Sequence, residues 1–252
     1  MVAPTRQRLE EGPICDPVFI RHYWRLSRRP SRGAARWVAA KMRKLGVPPT
    51  ARVLDVGCGP GWLARFLAAH FPAMQFVGLD ASEPMVMQAR QSGEGVPASV
   101  SVRFVVGDGC QLPFQSGRFD FVVSGATLHH VADPVAFFDE IDRVLARGGS
   151  VIVSDLNRNV PRLLWPLVRL ADWIERQLRP AAARQLAEGF VSSYEAAYSP
   201  DEIRAFLRRS RLGQRVCHYP RLLQHWIQTP PRGNGQTPDV HPLEQRVRHD
   251  GT

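Results

Sequence analysis

Two adjacent histidines, His129 and His130, follow the apolar run Phe119-Asp120-Phe121-Val122-Val123-Ser124. Imidazole has an ordinary pKa of about 6.5, so such a pair can take a proton from a phenol or an enolisable carbon. It can equally do no more than shape a loop. Upstream, Gly57, Gly59 and Gly61 alternate directly behind Val53-Leu54-Asp55-Val56. Glycine tolerates positive φ and has no Cβ, so a ligand can lie directly on such a turn. A helix starting there aims free N–H groups and a partial positive charge at that ligand. Asp80 closes a second apolar run, Gln75-Phe76-Val77-Gly78-Leu79. A carboxylate at that place can accept hydrogen bonds from two neighbouring ribose hydroxyls. Asp108, between Gly107 and Gly109 behind a third run, reads by itself as a turn former.

These residues need strands and helices to hold them. Arg52 to Val56 predicts a buried strand, the glycines a turn, and Leu63, Phe66 and Leu67 one face of a helix. Ser82 and Pro84 predict the start of a helix running from Met85 to about Gln91, and residues 92–99 a loop. Val102–Val106 and Phe119–Ser124 predict strands three and four. Asp133 with Pro134 caps a helix whose apolar face is Phe137, Phe138, Ile141, Val144 and Leu145. Gly148-Gly149 predicts a turn into a fifth strand, Ser150–Asp155. Ahead of all this, Pro17–Leu45 reads as a helix with Tyr23, Trp24 and Trp37, stopped by Gly46 and Pro48-Pro49.

The spacing of the glycines narrows the ligand. A dinucleotide fingerprint, G-x-G-x-x-G, would need glycine where Trp62 stands, and a phosphate loop would need a lysine that is absent there. Asp55 followed by G-x-G-x-G, then Asp80, then Gly107-Asp108 with Leu112-Pro113-Phe114, resembles the class I S-adenosylmethionine (SAM)-dependent methyltransferases. The run from Phe119 to Asp155 resembles their small-molecule subgroup, which includes quinone-biosynthesis enzymes. The resemblance implies an α/β, doubly wound, mostly parallel seven-stranded sheet, a Rossmann-like methyltransferase fold with one antiparallel strand. It implies SAM as cofactor, contacted by Asp55, Gly57, Cys58, Gly59, Gly61, Asp80, Ala81, Met85, Asp108, Gly109 and Ser124. Asp108 would accept from the adenine amine. His129 and His130 become the catalytic candidates, and Tyr23, Tyr194 and Tyr198 the substrate-side candidates. The acceptor implied is a small, apolar or aromatic molecule, methylated on oxygen or carbon in cofactor or secondary-metabolite biosynthesis.

The chain divides accordingly into an arm and helical lid over 1–50, a SAM-binding core over 51–155 and a helical insertion over 156–200. A helix and strands over 201–228 complete the sheet, and a polar tail, expected to be disordered, covers 229–252. Ser199-Pro200-Asp201-Glu202 predicts a capped helix start. Two final strands are expected near Gln214–Tyr219 and Leu222–Gln228. In the insertion, Leu163, Leu164, Leu167, Val168, Leu170, Trp173, Ile174 and Leu178 form an apolar stripe beside Arg162, Arg169, Arg176 and Arg179. Such a segment can pack on the core, roof a substrate pocket, rest on a membrane surface or join a homodimer.

The 252 residues suffice for one large α/β domain, and 44% hydrophobic content excludes a disordered chain. No apolar run approaches a membrane span, the N-terminus lacks a signal-peptide core, and Cys15, Cys58, Cys110 and Cys217 form no C-x-x-C pair. These features predict a cytoplasmic protein without a metal site. The net charge of +10 sits in the flanks: residues 1–50 hold 11 Lys/Arg against 3 Asp/Glu, while residues 51–155 hold 7 against 11. A basic flank suits nucleic acid, an anionic surface or simply solvent. A nucleic-acid methyltransferase is the alternative function, but Ser124-Gly125-Ala126-Thr127 departs from the Asp/Asn/Ser-Pro-Pro-aromatic run of amino-directed enzymes. A SAM-binding protein without catalysis is the third reading.

Overall fold

The computed structural model describes residues 17–91, 102–178 and 190–230. Its strands are β1 Arg52–Val56, β2 Gln75–Asp80, β3 Val102–Val106, β4 Phe119–Gly125, β5 Leu145–Leu156, β6 Cys217–Pro220 and β7 Gln224–Gln228. They form one seven-stranded sheet in the order β3-β2-β1-β4-β5-β7-β6. β1 pairs in parallel with β2 and β4, β2 with β3, and β4 with β5, while β7 runs antiparallel to β5 and β6. This is the mostly parallel, doubly wound sheet that the sequence implies. The strand order reverses at β1 and β4, so a crevice opens beyond their C-terminal ends.

The helices are α1 Pro17–Lys44, α2 Trp62–His70, α3 Glu83–Gln91, α4 Pro134–Val144, α5 Trp165–Leu178, α6 Phe190–Ala196 and α7 Pro200–Arg209. Side chains alternate across a strand, so neighbouring residues build opposite layers. Leu54, Val122, Val151 and Val153 pack with Phe137, Phe138 and Ile141 of α4 and Ile203 and Leu207 of α7. Val53, Phe76, Phe121, Val123 and Ile152 pack with Trp62, Phe66 and Leu67 of α2 and Val38, Ala39 and Met42 of α1. Full burial of each such side chain contributes about 1.5–3 kcal/mol. α1 is therefore more than a lid. Beyond Pro30 it belongs to the layer that covers the sheet, with Trp37 4.0 Å from Trp226 of β7.

Several local expectations shift. The buried face of α2 also takes in Trp62, Ala64, Arg65 and Ala68, because Trp62 and Ala68 pack with α1 while Ala64 and Arg65 meet α3 and Phe104 of β3, and Leu63 is only half-buried. α3 starts at Glu83, with the Ser82 hydroxyl accepting from Met85 N at 3.3 Å. β5 begins at Leu145, and Gly148-Gly149 is an irregularity inside it: Leu145 pairs with Phe119 and Ser150 already with Phe121. Gly148, at φ 76, takes up the extra length. The sixth strand starts later than expected because Leu212–Gln214 is a 3-10 turn. The expected arm over 1–16, the loop over 92–99, Arg179 and the tail from 231 lie outside the described residues.

Candidate active site

The glycine turn closes β1 against β2. Gly57 N and Cys58 N both donate to Leu79 O, at 2.7 and 2.9 Å. Gly57 has φ +71, and a Cβ placed there would lie 2.2 Å from the Thr127 side chain. Only glycine satisfies both demands. The Thr127 hydroxyl points at the carbonyls of Gly125 and Gly57, 3.1 and 3.3 Å away, and so ties the end of β4 to the end of β1. Ala126 beside it holds φ 53, a costly conformation for a residue with a Cβ. Gly61 caps α2 at φ 81. Gly59 is the open position, where the nearest atom to an added Cβ is Tyr23 Cε1 at 4.0 Å. Tyr23 of α1 therefore stands beside the glycine turn.

Asp80 is braced by backbone from both sides. Gly59 N donates to its Oδ2 at 2.7 Å and Ser82 N to its Oδ1 at 2.9 Å. Burial raises its pKa, against the pull of these N–H groups. Asp55 lies deeper, 2% exposed, with Oδ2 lacking a hydrogen-bond partner. Burial, and then the charge of Asp80, raise Asp55 to about 7. Asp108 follows β3 and is exposed, its Oδ1 accepting from Cys110 N at 2.8 Å. The loop behind it is pinned by α4. Glu140 accepts from Leu112 N at 2.7 Å, and Arg143 donates to the carbonyls of Leu112 and Phe114 at 2.9 and 2.7 Å. Ala81 is exposed beside Asp80, Gly109 abuts Phe137, and Ser124 is buried with a hydroxyl that has no partner.

This set fits SAM. A carboxylate-rich floor under an open glycine turn favours a cationic sulfonium, and burying unpaired polar atoms such as Asp55 Oδ2 and Ser124 Oγ costs about 1–3 kcal/mol each until a partner arrives. Asp80 has acceptor capacity left for a diol, and the exposed Asp108 has a second carboxylate oxygen beyond the one held by Cys110 N.

At the other side of the crevice, His129 is held by Asp155, the C-terminal acid of β5. The ring Nδ1 lies 2.6 Å from Asp155 Oδ1, and His129 N donates to Asp155 Oδ2 at 2.8 Å. Both side chains are buried. Desolvation works to raise the Asp155 pKa, and His129 with the backbone N–H donors outweighs it, leaving the carboxylate below its ordinary value. Facing that acceptor, Nδ1 carries the proton in the neutral ring, which leaves Nε2 the unprotonated nitrogen. His130, 4.2 Å from His129 between ring centroids, is exposed. Desolvation by the protein on its inner side, and then the charge of His129, lower its pKa to about 4. The ring is therefore neutral at pH 7.

Other expected residues lie elsewhere. The Cys58 thiol packs with Ala64, Val86, Ala89 and Phe104 beneath the turn, and burial keeps it protonated, so only its backbone faces the crevice. Met85 is buried in α3. Tyr198 is in the core, with its hydroxyl donated to Val131 O at 2.7 Å. Tyr194 is buried with Val160 and Val168 under the insertion. Of the three tyrosines, Tyr23 is the one that the structure places beside Gly59. Asp155 and Thr127 are the residues sequence reasoning missed. Asp155 carried the same signal as Asp80, an acid at the end of an apolar strand. Thr127 carried none.

Residues 54–153 match the methyltransferase domain family. The chain is 35% identical over 181 residues to a demethylmenaquinone methyltransferase of Roseiflexus castenholzii, covering 71% of each protein. It is 34% identical over 154 residues to the 2-methyl-6-phytyl-1,4-hydroquinone methyltransferase of Synechocystis sp., covering 60% of this chain and 46% of that one. A SAM-dependent methyltransferase structure from Aquifex aeolicus shares the fold at TM-score 0.58 and 17% identity, over 86% of this chain and 98% of that one. With its glycine turn, strand-end acids and sheet order, the chain belongs to the SAM-dependent methyltransferase family.

Proposed function

We propose that this chain transfers a methyl group from SAM to the oxygen or ring carbon of a small, apolar aromatic acceptor. The observation that carries the reading is the buried His129–Asp155 pair, which sits across the sheet's switch point from the glycine turn. The names of the relatives, which act on a hydroquinone and on demethylmenaquinone, support a quinol-type acceptor.

Asp80 accepts from the ribose hydroxyls, Asp108 from the adenine amine, and Asp55 with Asp80 supplies negative charge for the cationic donor. Bound SAM supplies a methyl group already activated on a sulfonium. What remains for the chain is to hold donor and acceptor in line, where proximity and orientation account for much of the acceleration. His129 Nε2, set by Asp155, takes the proton that an acceptor hydroxyl or enolisable carbon must lose. Neutral His130 beside it accepts a hydrogen bond from the same acceptor. Tyr23 closes the donor side.

The test is transfer from methyl-labelled SAM to a panel of hydroquinones and phenols, and to a whole-cell lysate. Label should enter the organic-soluble fraction and be absent with Asp80→Ala. Label confined to nucleic acid or protein would overturn the acceptor class, and SAM binding without transfer to any fraction would favour the non-catalytic reading.

A further inference from the structure

α5 presents two different faces. Its inner side, Val168 with Asp172 and Glu175, is fixed to the body. Val168 packs with Val160 and Tyr194, Asp172 accepts from Val191 N at 3.2 Å, and Glu175 lies 3.8 Å from His22 of α1. Its outer side carries Leu167, Leu170, Trp173, Ile174 and Leu178, between 46% and 62% exposed, and Leu163 in the preceding turn is 86% exposed. Soluble surfaces rarely leave so many large apolar side chains contiguous. Arg169 and Arg176 lie seven residues apart, two helical turns, along the border between the outer and inner sides. Arg162, exposed in the 3-10 turn before, adds a third arginine at the start of the helix. Arg176 is paired with Asp172 at 2.7 Å, whereas Arg162 and Arg169 have no ion-pair partner among the described residues.

We propose that α5 docks this protein on an anionic lipid bilayer, with the outer apolar side in the headgroup–acyl boundary and the arginine row on the lipid phosphates. The charge pattern selects this occupant. Both acids of α5 are engaged inward, so the unpaired charges that α5 and its preceding turn present beside the outer side are cations among the described residues, and a second copy meeting it would bring arginines without counter-charge. Lipid phosphates supply that charge, and Trp173 beside the row is the residue type that settles at such a boundary. No helix among the described residues is long and apolar enough to cross a membrane, so the contact is peripheral. α6 packs between α5 and the Leu128–His130 turn, which sets the docked face on the acceptor side of the crevice.

The test is co-sedimentation of the full chain with phosphatidylcholine vesicles, with and without phosphatidylglycerol. It needs no methyl transfer, so it stands or falls apart from the proposed activity. Expected is pelleting with the anionic vesicles, weakened by salt, with a blue shift of tryptophan emission. Leu167→Glu with Leu170→Glu should abolish pelleting while the thermal melt stays unchanged. Arg162→Glu and Arg169→Glu should each weaken it by roughly fivefold or more. Trp173→Phe should keep pelleting and lose the blue shift. Absence of pelleting would overturn the proposal, whether sedimentation velocity then finds a dimer that Leu167→Glu dissolves or a monomer whose outer face its own chain covers. Pelleting that no α5 substitution alters would overturn it as well.

Discussion

Gly59 donates its backbone N–H to the Asp80 carboxylate across 2.7 Å, joining the turn after β1 to the end of β2. The donor cradle and the acid above it are thus one unit. Asp80→Ala should lower SAM affinity by about ten- to a hundredfold, the range of a hydrogen-bonded charge removed from a buried place. Asp80→Asn should lose nearly as much, because one amide position then faces a donor with a donor. Calorimetric titration with SAM reads both, and affinity unchanged in both would mean that the ribose lies elsewhere.

Gly57→Ala should weaken SAM binding and lower the melting temperature together, since the new Cβ meets Thr127 at 2.2 Å and φ is +71. Adding Thr127→Gly should recover the steric part only, leaving about 1–2 kcal/mol from the left-handed backbone. Full recovery in the double variant would show that φ is free to relax.

His129→Ala should reduce methyl transfer at saturating SAM and acceptor by about 10²–10⁴-fold, with SAM affinity retained. Asp155→Asn should fall toward the same level, because the amide no longer selects the tautomer protonated on Nδ1. His130→Ala should cost less. Full turnover in both His129→Ala and Asp155→Asn would remove the base from the mechanism.

Asp55 at about 7 ionises in the working range. A cationic ligand favours its charged form, so SAM binding should strengthen between pH 6 and 8 by up to roughly tenfold. S-Adenosylhomocysteine, which lacks the sulfonium, should show a flatter profile, and Asp55→Asn should flatten that of SAM. Parallel profiles for both ligands in the wild-type protein would separate Asp55 from the donor charge.

Two groups pull stability in opposite directions with pH. His218, 3.0 Å from His225, is lowered to about 3 by burial, then by His225 and Arg204. Its neutral burial stabilises the fold above its ordinary value of 6.5, and that contribution is lost as pH falls from 6.5 toward 3. Asp55 is raised from 3.8 to about 7, so its contribution is present in acid and lost as pH rises through that window. Melting without SAM should therefore show His218→Asn losing less than wild type between pH 7 and 5. Asp55→Asn should gain on wild type between pH 5 and 8. Equal slopes for variant and wild type would discount the group concerned.

Much of this architecture is written locally. Val53-Leu54 and Phe121-Val122-Val123 are apolar on consecutive positions because parallel strands are covered on both faces. Asp133-Pro134 and Ser199-Pro200 begin helices wherever they stand, and both do so here, Ser199 within a full capping box. Asp80 and Asp108 could be assigned to a nucleoside ligand because each closes or follows a strand, and parallel strands bring such ends to one edge, while Asp55, inside β1, is assigned by the family resemblance.

By itself, then, the sequence determined the order of strands and helices, the edge at which the ligand lies and the class of that ligand. The first follows from short-range periodicity and turn chemistry, and the other two from the resemblance to SAM-dependent methyltransferases that the motifs carry. The tertiary structure alone decided which side chains face one another across that edge. Asp155 reaches His129 through the β4–β5 pairing, Thr127 covers Gly57 through the β1–β4 pairing, and Tyr198 spends its hydroxyl on Val131. It also decided that half of α1 is core and that the apolar side of α5 stays outside. Those outcomes depend on contacts between residues far apart in the chain, and no local pattern specifies which of several apolar faces finds a partner.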